Sequence, residues 1–326
     1  MAEVNRALSV GSLKTNEVLN HLGVSRASYF RWKKEESWKR ERREVIKPVQ
    51  AFEALPEEKQ AVVKYALEHP GVRHRELAWR MIDDDVAYLS MSTVYRILLS
   101  EELMCLRRGR KKRYRDEAEK ASRPDEIWAT DLMYLKVGGI QYYLLNFIDE
   151  YSRYLVHWEL LTSMDGHSIS IGAQKALESL QMDQEGKVVT QPIIRSDNGS
   201  GYISKEFGGL LDHHELTHHR IKPHCPEENG VMERCNRTIR EAIEEHELVG
   251  RYDSEETIKR IVDHYNNERL HSALGYQTPA TWYRGNPDEI SSARRLKLSQ
   301  SRHRRKQINL GIRQRTLPLE LNQIAN

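Results

Sequence analysis

The spacing of apolar and polar residues changes its period about a third of the way along the chain. Upstream, apolar residues recur at helical spacing, and the helical segments are interrupted at Gly23, Pro48 and Pro70. Downstream, residues 127–137 and 140–148 are rich in β-branched and aromatic side chains, and the Gly-Gly pair between them predicts a hairpin. The chain therefore divides into a helical N-terminal part and a later part that contains strands.

The later part follows an order that specifies a fold class. A third strand is predicted at residues 154–160, and helices then alternate with short apolar strands, at 166–182, 190–196, 204–214, 216–221 and 226–248. Three antiparallel strands followed by helix-connected strands predict an α/β domain with one mixed central sheet. We place this domain at residues 119–285.

Two helical units are predicted ahead of it. In residues 1–40, a helix, a turn at Gly23 and a second helix capped by Ser25 form a helix-turn-helix pattern. Its second helix would present four residues to DNA: Arg26, Ser28, Arg31 and Lys33. Residues 41–118 predict a second helix-turn-helix or winged-helix-like unit with a basic linker, for which a plain three-helix spacer is the alternative.

Charge is distributed unevenly behind a net value of only +3. Residues 106–115 hold seven Lys or Arg and no acid, and residues 294–315, in a basic C-terminal tail at 286–326, hold nine and no acid. Basic flanks around an acidic centre favour DNA as a partner, although a solvated helix or a floppy tail would explain any single run. In the first run we expect DNA contacts from Arg107, Arg108, Arg110, Lys111, Lys112 and Arg113.

The composition of the chain indicates the cellular compartment in which we expect it. No apolar run approaches the ~20 residues that a membrane-spanning helix needs, so we expect a cytoplasmic protein without a membrane partner, associated with the nucleoid if it binds DNA. The three cysteines form no spaced framework, as expected in a reducing compartment. The histidine-rich stretch at 213–225 matches no standard zinc-finger spacing, and His224 is instead expected near the DNA or the metal.

Three acidic residues lie at the ends of predicted elements or within an apolar strand, where a carboxylate calls for a bound ion or a partner. Asp131 lies inside an apolar strand, Asp197 directly follows another, and Glu233 lies early in a helix. Carboxylate oxygens select hard cations such as Mg²⁺, and two such ions can activate the attacking oxygen and stabilise the leaving one in phosphodiester displacement. Each acid taken singly could instead cap a turn or pair with arginine.

The local motifs resemble a known family. They are WATDLMYL around Asp131, FIDEYSRYLVHW at 147–158, RSDNGSGYIS at 195–204, ENGVMERCNRTIREA at 228–242 and HYNNERLHSALGYQTPATWY at 264–283, with 35 residues between Asp197 and Glu233. Over residues 12–285 the sequence resembles the insertion-sequence-three family of transposases, which share the D,D(35)E core of retroviral integrases. The resemblance implies an RNase H-like (retroviral integrase-like) fold, metal-dependent cleavage at the ends of a mobile element, and transfer of the 3′-hydroxyl to another DNA strand.

The same resemblance assigns roles to residues. Asp131, Asp197 and Glu233 would be the catalytic and metal-binding carboxylates for two Mg²⁺ ions, with Mn²⁺ as a substitute. Glu228 is a rival for the third carboxylate, because the family usually has Asp-Asn where this chain has Glu228-Asn229; the 35-residue spacing favours Glu233, which lies one helical turn beyond Asn229. DNA contacts near the site are expected from Asn229, Arg234, Arg237 and Arg240.

Some neighbouring residues have competing interpretations. The three arginines after Glu233 could pair along their helix with Glu241 or Glu244 instead. Asp149 is expected to anchor Ser152 and Arg153 in a turn. The segment from Tyr265 to His271, predicted to be helical, is either scaffold or DNA contact.

The sequence thus predicts a transposase that binds the terminal inverted repeats of its element and a target DNA, as at least a dimer when DNA-bound, because two ends must be brought together. A catalytically silent DNA-binding regulator and an RNase H-like nuclease without strand transfer are the alternatives.

Overall fold

The computed structural model describes residues 15–40, 49–104, 120–222 and 229–324. The predicted DNA contacts at 107–113, the rival carboxylate Glu228 and His224 lie outside the described residues. The chain divides into two compact units, one formed by residues 1–53 and 305–326 and the other by residues 54–304.

A helical hairpin begins the first unit. Helices α1 (Thr15–His21) and α2 (Arg26–Arg40) are joined through Gly23, whose φ of 65° suits glycine, and the Ser25 hydroxyl accepts a hydrogen bond from the Ser28 amide at 3.1 Å. Their core is small, formed by Val18, Leu19 and Tyr29. Leu22 and Phe30, on the same two helices, are exposed.

Three helices open the second unit: α3 (Pro56–Glu68), α4 (His74–Asp83) and α5 (Met91–Ser100). They enclose a core that includes Val62, Met81 and Val94. Ser90 caps the last of these helices, its hydroxyl accepting the Thr93 amide at 3.3 Å.

The central sheet has five strands: β1 (Ile127–Val137), β2 (Ile140–Asp149), β3 (Leu155–Leu161), β4 (Ile193–Ser196) and β5 (His218–Arg220). Their order is β3-β2-β1-β4-β5. The first three pair antiparallel, β4 runs parallel to β1, and β5 runs parallel to β4. The predicted mixed sheet is therefore confirmed, with β1 at its centre.

Helices cover both faces of the sheet. Helices α6 (Gly166–Leu177) and α7 (Lys205–His213) pack on one face, around Trp128 and Phe147. Helices α8 (Gly230–Ile243) and α9 (Arg251–Asn267) pack on the other, around Met133 and Ile148. Side chains alternate between the faces along β1, so odd-numbered residues of this strand face α8 and even-numbered ones face α6 and α7.

The chain ends in helices α10 (Pro279–Arg284) and α11 (Pro287–Ile324). The basic C-terminal segment is thus helical rather than a floppy tail. The segment predicted as one helix from Tyr265 to His271 is also corrected: α9 stops at Asn267, where the Arg269 amide bonds back to the His264 carbonyl at 3.0 Å, so Arg269 and His271 lie beyond it. None of the described helices has both the length and the apolar composition that a bilayer crossing requires.

Candidate active site

The register of two parallel strands brings Asp131 and Asp197 together. Ala129 on β1 is the partner of Arg195 on β4, the last pair of this ladder, and Asp131 and Asp197 each lie two residues beyond it. Neighbouring strands lie ~4.8 Å apart, and residues two positions apart share a face. Both carboxylates therefore belong to the edge of the sheet face that α8 covers.

Asp131 is held by hydrogen bonds from two elements. Its carboxylate accepts the Leu132 amide at 2.9 Å through Oδ1 and the Asn236 side-chain amide, from α8, at 2.9 Å through Oδ2. The Asn236 carbonyl in turn accepts a 2.9 Å bond from the side chain of Asn146, the residue opposite Asp131 on β2. Asn146 and Asn236 are buried, so a chain of amides fixes Asp131 and α8 relative to each other.

The surroundings of Asp131 disfavour its charged form. Burial, reinforced by the negative charges of Asp197 and Glu233, raises the pKa of Asp131 to about 6, even though the bonds from Leu132 and Asn236 favour its ionised form. The charges of Asp197 and Glu233 therefore act on Asp131, which agrees with the three carboxylates lying in one region.

Glu233 lies in the first turn of α8 with its side chain exposed. On the same helix Met232 and Asn236 are buried against the sheet, which fixes the rotation of the helix. Asn229 occupies the N-cap position of α8 without a side-chain cap bond; it is buried, and its side-chain carbonyl has no hydrogen-bond partner in the described chain. The first turn of α8 thus borders the same sheet edge as the two aspartates.

The loop after β4 holds Asp197 through several anchors. The Asp197 Oδ1 atom accepts the Gly199 amide at 2.8 Å, and the Asn198 side chain donates to the Ile221 carbonyl at 2.8 Å. Further along, the buried Tyr202 hydroxyl lies 3.1 Å from that of Thr130, the residue before Asp131. At Gly201 a β-carbon would lie 2.3 Å from the Ile169 side chain, so the loop approaches α6 as only glycine allows.

A buried ion pair stabilises the base of the site. Arg195 on β4 bonds through Nη1 to both carboxylate oxygens of Glu150, at 2.8 and 2.7 Å, and both side chains are almost fully buried. The pair ties β4, which leads into Asp197, to the turn after β2. Asp149 in that turn accepts bonds from the Ser152 amide and hydroxyl, and its carbonyl accepts the Arg153 amide, so its predicted anchoring role is confirmed.

The carboxylate trio offers only oxygen donors, as Mg²⁺ and Mn²⁺ prefer, and the charge repulsion acting on Asp131 is what a cation would relieve. As the side chains stand, no three His, Cys, Asp or Glu residues in the described ranges are arranged to hold a metal ion. Asp197 and Glu233 are both exposed, and the Gly199 amide holds Asp197 Oδ1 at 2.8 Å, so completing such a site would require this bond to open and the side chains to change rotamer.

The predicted DNA contacts lie in several places. Arg234, Arg237 and Arg240 are exposed on α8, and none forms an ion pair within the described chain, so the alternative pairing with Glu241 or Glu244 is not observed. The predicted contacts on α2 lie in the other unit, where Arg26, Arg31 and Lys33 are exposed and the Ser28 hydroxyl accepts a hydrogen bond from Ser25.

Sequence reasoning missed Thr130, Asn146, Tyr202 and Asn236 as parts of the site. Asn146 carried a usable signal, because it is the one amide in the apolar run YYLLNFI. The others carried none, since a tyrosine, a threonine and a helical asparagine are unremarkable without knowledge of their partners.

Two family models match the sheet domain and the helices on it. Both are described as integrase core domains, and they match residues 121–226 and 214–279. Together they include all three carboxylates and the buried residues that surround them.

Curated relatives agree with these models. The chain is 29% identical over 164 residues to the transposase for insertion sequence element IS904 of Lactococcus lactis, covering 49% of this chain and 62% of that protein. It is 28% identical over 162 residues to transposase InsF for insertion sequence IS3A of Escherichia coli, covering 49% and 54%. The matches thus span little more than half the length of these relatives.

Solved structures with lower similarity were also found. The catalytic core domain of HTLV-2 integrase in complex with magnesium aligns with a TM-score of 0.40 at 18% identity, covering 50% of this chain and 99% of that one. The simian T-cell lymphotropic virus intasome in complex with a PP2A regulatory subunit aligns with a TM-score of 0.45 at 16% identity, covering 69% and 74%.

Proposed function

We propose that this protein, which carries an integrase core domain and is related to transposases of IS3-type insertion elements, is a DNA transposase that cleaves and joins DNA strands at the ends of its own element. The observation that supports the proposal is that the charges of Asp197 and Glu233 act on the buried carboxylate of Asp131, close to where β1 and β4 run side by side.

In this proposal each carboxylate has a distinct position. Asp131 is rigid, because Leu132 and Asn236 hold both of its oxygens. Asp197 and Glu233 are exposed and adjust to the bound ions and DNA. One carboxylate held through both oxygens beside two exposed ones would suit a site that is completed when metal and substrate bind.

We propose two Mg²⁺ ions, replaceable by Mn²⁺, as the cofactors of the trio. When bound, the ions would activate the attacking hydroxyl and stabilise the leaving oxygen of the phosphodiester. The residues of the chain contribute charge and position. The burial that keeps the pKa of Asp131 at about 6 leaves this carboxylate mostly ionised near neutral pH, as a metal ligand must be.

The partners proposed are the terminal inverted repeats of the element and a target DNA. The exposed arginines of α8 form no ion pair within the described residues and would contact the strand at the site; Arg26, Arg31 and Lys33, in the other unit, would also contact DNA. Two element ends must be held at once, so we propose at least a dimer on DNA.

The test is strand transfer in Mg²⁺ with a duplex that carries the terminal repeat flanking the coding sequence. Asp131→Asn, Asp197→Asn and Glu233→Gln should each lower the rate at least about 100-fold, since each loses several kcal/mol of charge stabilisation. Asp212→Asn and Glu241→Gln, which neutralise exposed acids elsewhere in the same domain, should stay within about twofold of the unmodified protein.

The alternatives give different products. Tight binding with uncut DNA would indicate a silent regulator, and cutting without a joined product would indicate a nuclease. If Glu233→Gln keeps full activity and Glu228→Gln loses it, the third carboxylate is Glu228.

A further inference from the structure

His218 belongs to the histidine-rich stretch at 213–225 and occupies the first position of β5. Its partner in the parallel ladder with β4 is Ile194, so His218, Ile194 and Ser196 lie on the same face of the sheet, the face that α6 and α7 cover. The carboxylate of Asp197 belongs to the opposite face. A contact between His218 and Ser196 therefore acts on the proposed metal site from the side of the sheet away from the carboxylates.

The Ser196 hydroxyl takes part in two hydrogen bonds. It donates to the carbonyl oxygen of Asp197 at 2.9 Å, and its Oγ lies 2.8 Å from Nε2 of His218. Ser196 is fully buried, so its hydroxyl depends on these partners. A serine hydroxyl carries one proton and a carbonyl oxygen can only accept, so this proton is committed to Asp197. The bond between Ser196 and His218 can then form only if Nε2 of His218 is the donor.

The surroundings of His218 favour a ring with a single N–H. Burial, followed by the positive charges of Arg220 and His219, lowers the pKa of His218 below its ordinary value of 6.5, so the ring is neutral at pH 8. A neutral imidazole has one N–H, on Nδ1 or on Nε2, and the hydrogen bonds of the ring decide which of the two is present. With Ser196 as the acceptor, the Nε2–H form is selected.

Packing fixes the orientation of this ring. The His218 ring contacts the Phe207 ring edge-to-face, with centroids 5.4 Å apart, and Phe207 is fully buried in the core beneath α7. Phe207 is anchored in turn, because its amide donates to the Ser204 hydroxyl at 3.1 Å at the beginning of α7. The imidazole is thus held against α7 with its Nε2 at the Ser196 hydroxyl.

Other bonds from β5 and the residue after it act on the same turn. The Ile221 amide donates to the Ser196 carbonyl at 2.9 Å, and the Ile221 carbonyl accepts the Asn198 side chain at 2.8 Å. These bonds fix the residue before Asp197 and the residue after it. The hydrogen bonds that begin at His218 add the carbonyl oxygen of Asp197 itself.

The backbone of Asp197 determines how its carboxylate is presented. The carboxylate is exposed, and its Oδ1 accepts the Gly199 amide at 2.8 Å. A peptide unit is planar, so holding the Asp197 carbonyl fixes the whole unit between Asp197 and Asn198. The position of the Gly199 amide relative to the carboxylate is thereby fixed as well.

We propose that His218 is a positioning residue for Asp197: it donates from Nε2 to the Ser196 hydroxyl, which in turn donates to the Asp197 carbonyl oxygen and so holds this ligand of the proposed metal site in place. The inference rests on the proposed function, because a metal site is what makes the direction of the Asp197 carboxylate matter. In this arrangement His218 acts through two hydrogen bonds and contacts neither metal nor DNA.

The direction of the bond between His218 and Ser196 can be measured on the unmodified full chain. Long-range ¹H–¹⁵N spectra of protein labelled with ¹⁵N-histidine at pH 8 distinguish a ring nitrogen that carries a proton from one that does not, and His218→Gln identifies the signal by its loss. We expect a proton on Nε2 and none on Nδ1. The opposite result would mean that Ser196 donates to the ring, and it would overturn the proposal.

Strand transfer at varied Mg²⁺ concentration measures the positioning effect. His218→Phe keeps a ring against Phe207 but removes the N–H, and it should raise the Mg²⁺ concentration that gives the half-maximal rate about 10-fold, as expected when support for a metal ligand is lost. His218→Gln, which keeps an N–H donor at the same distance along the side chain, should recover the original requirement to within about twofold. A loss of stability alone would lower the maximal rate and leave this Mg²⁺ concentration unchanged.

His213→Phe is the matched control. It makes the same substitution at an exposed histidine at the end of α7, and it should leave the Mg²⁺ requirement within about twofold of the unmodified protein.

Ser196→Ala tests the middle of the arrangement. It should raise the Mg²⁺ requirement as His218→Phe does, and the double variant should show no further rise, because both substitutions interrupt the same pair of hydrogen bonds. Two effects that multiply in the double variant would show that His218 does not act through Ser196 and would overturn the proposal.

The outcomes separate this role from the proposed function. Unmodified protein that joins no DNA would overturn the function itself, whereas the tautomer of His218 would still decide the hydrogen bond. Unmodified protein that joins DNA, with the same Mg²⁺ requirement in His218→Phe and His213→Phe, would overturn the positioning role alone. If His218→Phe does not fold, Ser196→Ala replaces it in this comparison, and an unchanged Mg²⁺ requirement in that variant would overturn the role equally.

Discussion

The Tyr202 hydroxyl lies 3.1 Å from the Thr130 hydroxyl, and this contact joins the strand that carries Asp131 to the loop that carries Asp197. Thr130 faces α6 and α7, on the opposite side of β1 from Asp131. Contacts on both faces of the sheet therefore position Asp131 and Asp197: the Tyr202–Thr130 contact on the face of α6 and α7, and the hydrogen bonds to the carboxylates on the other.

Tyr202→Phe should consequently weaken both stability and activity. The substitution leaves the fully buried Thr130 hydroxyl without its partner, which costs about 1–2 kcal/mol of unfolding free energy, and it loosens the loop that presents Asp197. Denaturant unfolding and strand-transfer rates measure the two effects. Tyr134→Phe is the control: it alters an exposed tyrosine on β1, the strand that carries Thr130, and should change neither the unfolding free energy nor the strand-transfer rate. Equal behaviour of the two variants would contradict a role for the Tyr202 contact.

Gly201→Ala should disturb the same loop by a steric route. The added β-carbon would lie 2.3 Å from the Ile169 side chain and 2.8 Å from the Met164 carbonyl oxygen, and the backbone atom cannot easily move. We expect a loss of about 1–3 kcal/mol in denaturant unfolding. Gly209→Ala, inside α7 with open space around it, should instead be neutral or stabilise by about 0.5–1 kcal/mol. The prediction is wrong if the two alanine variants shift stability in the same direction.

Much of the sheet could be predicted from sequence because its signals are local. The Gly-Gly turn between β1 and β2 and the apolar run before Asp197 each specify an element without reference to distant residues. Asp131 could be predicted as a site residue for the same reason, because a charged side chain within an apolar strand is costly unless it is bound or paired.

Other parts of the site depend on distant partners. Asn236 matters because its side chain reaches Asp131, 105 residues earlier, and no local pattern encodes that contact. Likewise, Arg269 was predicted on the same helix as Tyr265. Helix α9 ends before Arg269, so the direction of the Arg269 side chain depends on the turn after the helix. Helix boundaries and long-range polar contacts are determined by tertiary packing.

The amide chain behind Asp131 can be tested by a double-mutant cycle. Asn236→Ala removes a partner from both Asp131 and Asn146, and we expect it to cost about 1–3 kcal/mol in unfolding and to lower strand transfer. Combined with Asn146→Ala, the two losses should be non-additive by at least about 0.5 kcal/mol. Thr238→Ala, which removes only a bond to the α8 backbone, is the control. Strict additivity would show that the two asparagines act independently.

Magnesium should stabilise the folded protein through the trio. Millimolar Mg²⁺ that binds only the native state should raise the unfolding free energy by about 1–2 kcal/mol, and Asp131→Asn should abolish this gain. In EDTA at pH 8 the same variant should be more stable than the unmodified protein by roughly 1–3 kcal/mol, because it removes a buried charge with a pKa raised to about 6. Differential scanning fluorimetry and denaturant unfolding measure both. A metal-free variant less stable than its parent would contradict the electrostatic account of Asp131.

His271 should give the protein a stability that declines in acid. Its pKa is lowered to about 4 in the folded state, against an ordinary value of 6.5, so between these values the unfolded chain binds more protons. Stability is therefore full above pH 6.5 and falls as the pH drops towards 4, by up to about 3 kcal/mol for this residue.

Denaturant unfolding of the DNA-free protein from pH 7.5 to 4.5 measures this slope. His271→Gln should flatten it over that window, whereas His246→Gln, which replaces an exposed histidine after α8, should leave it unchanged. Parallel curves for His271→Gln and the unmodified protein would contradict the burial of the His271 ring and the effect of the Arg269 and Arg153 charges on it.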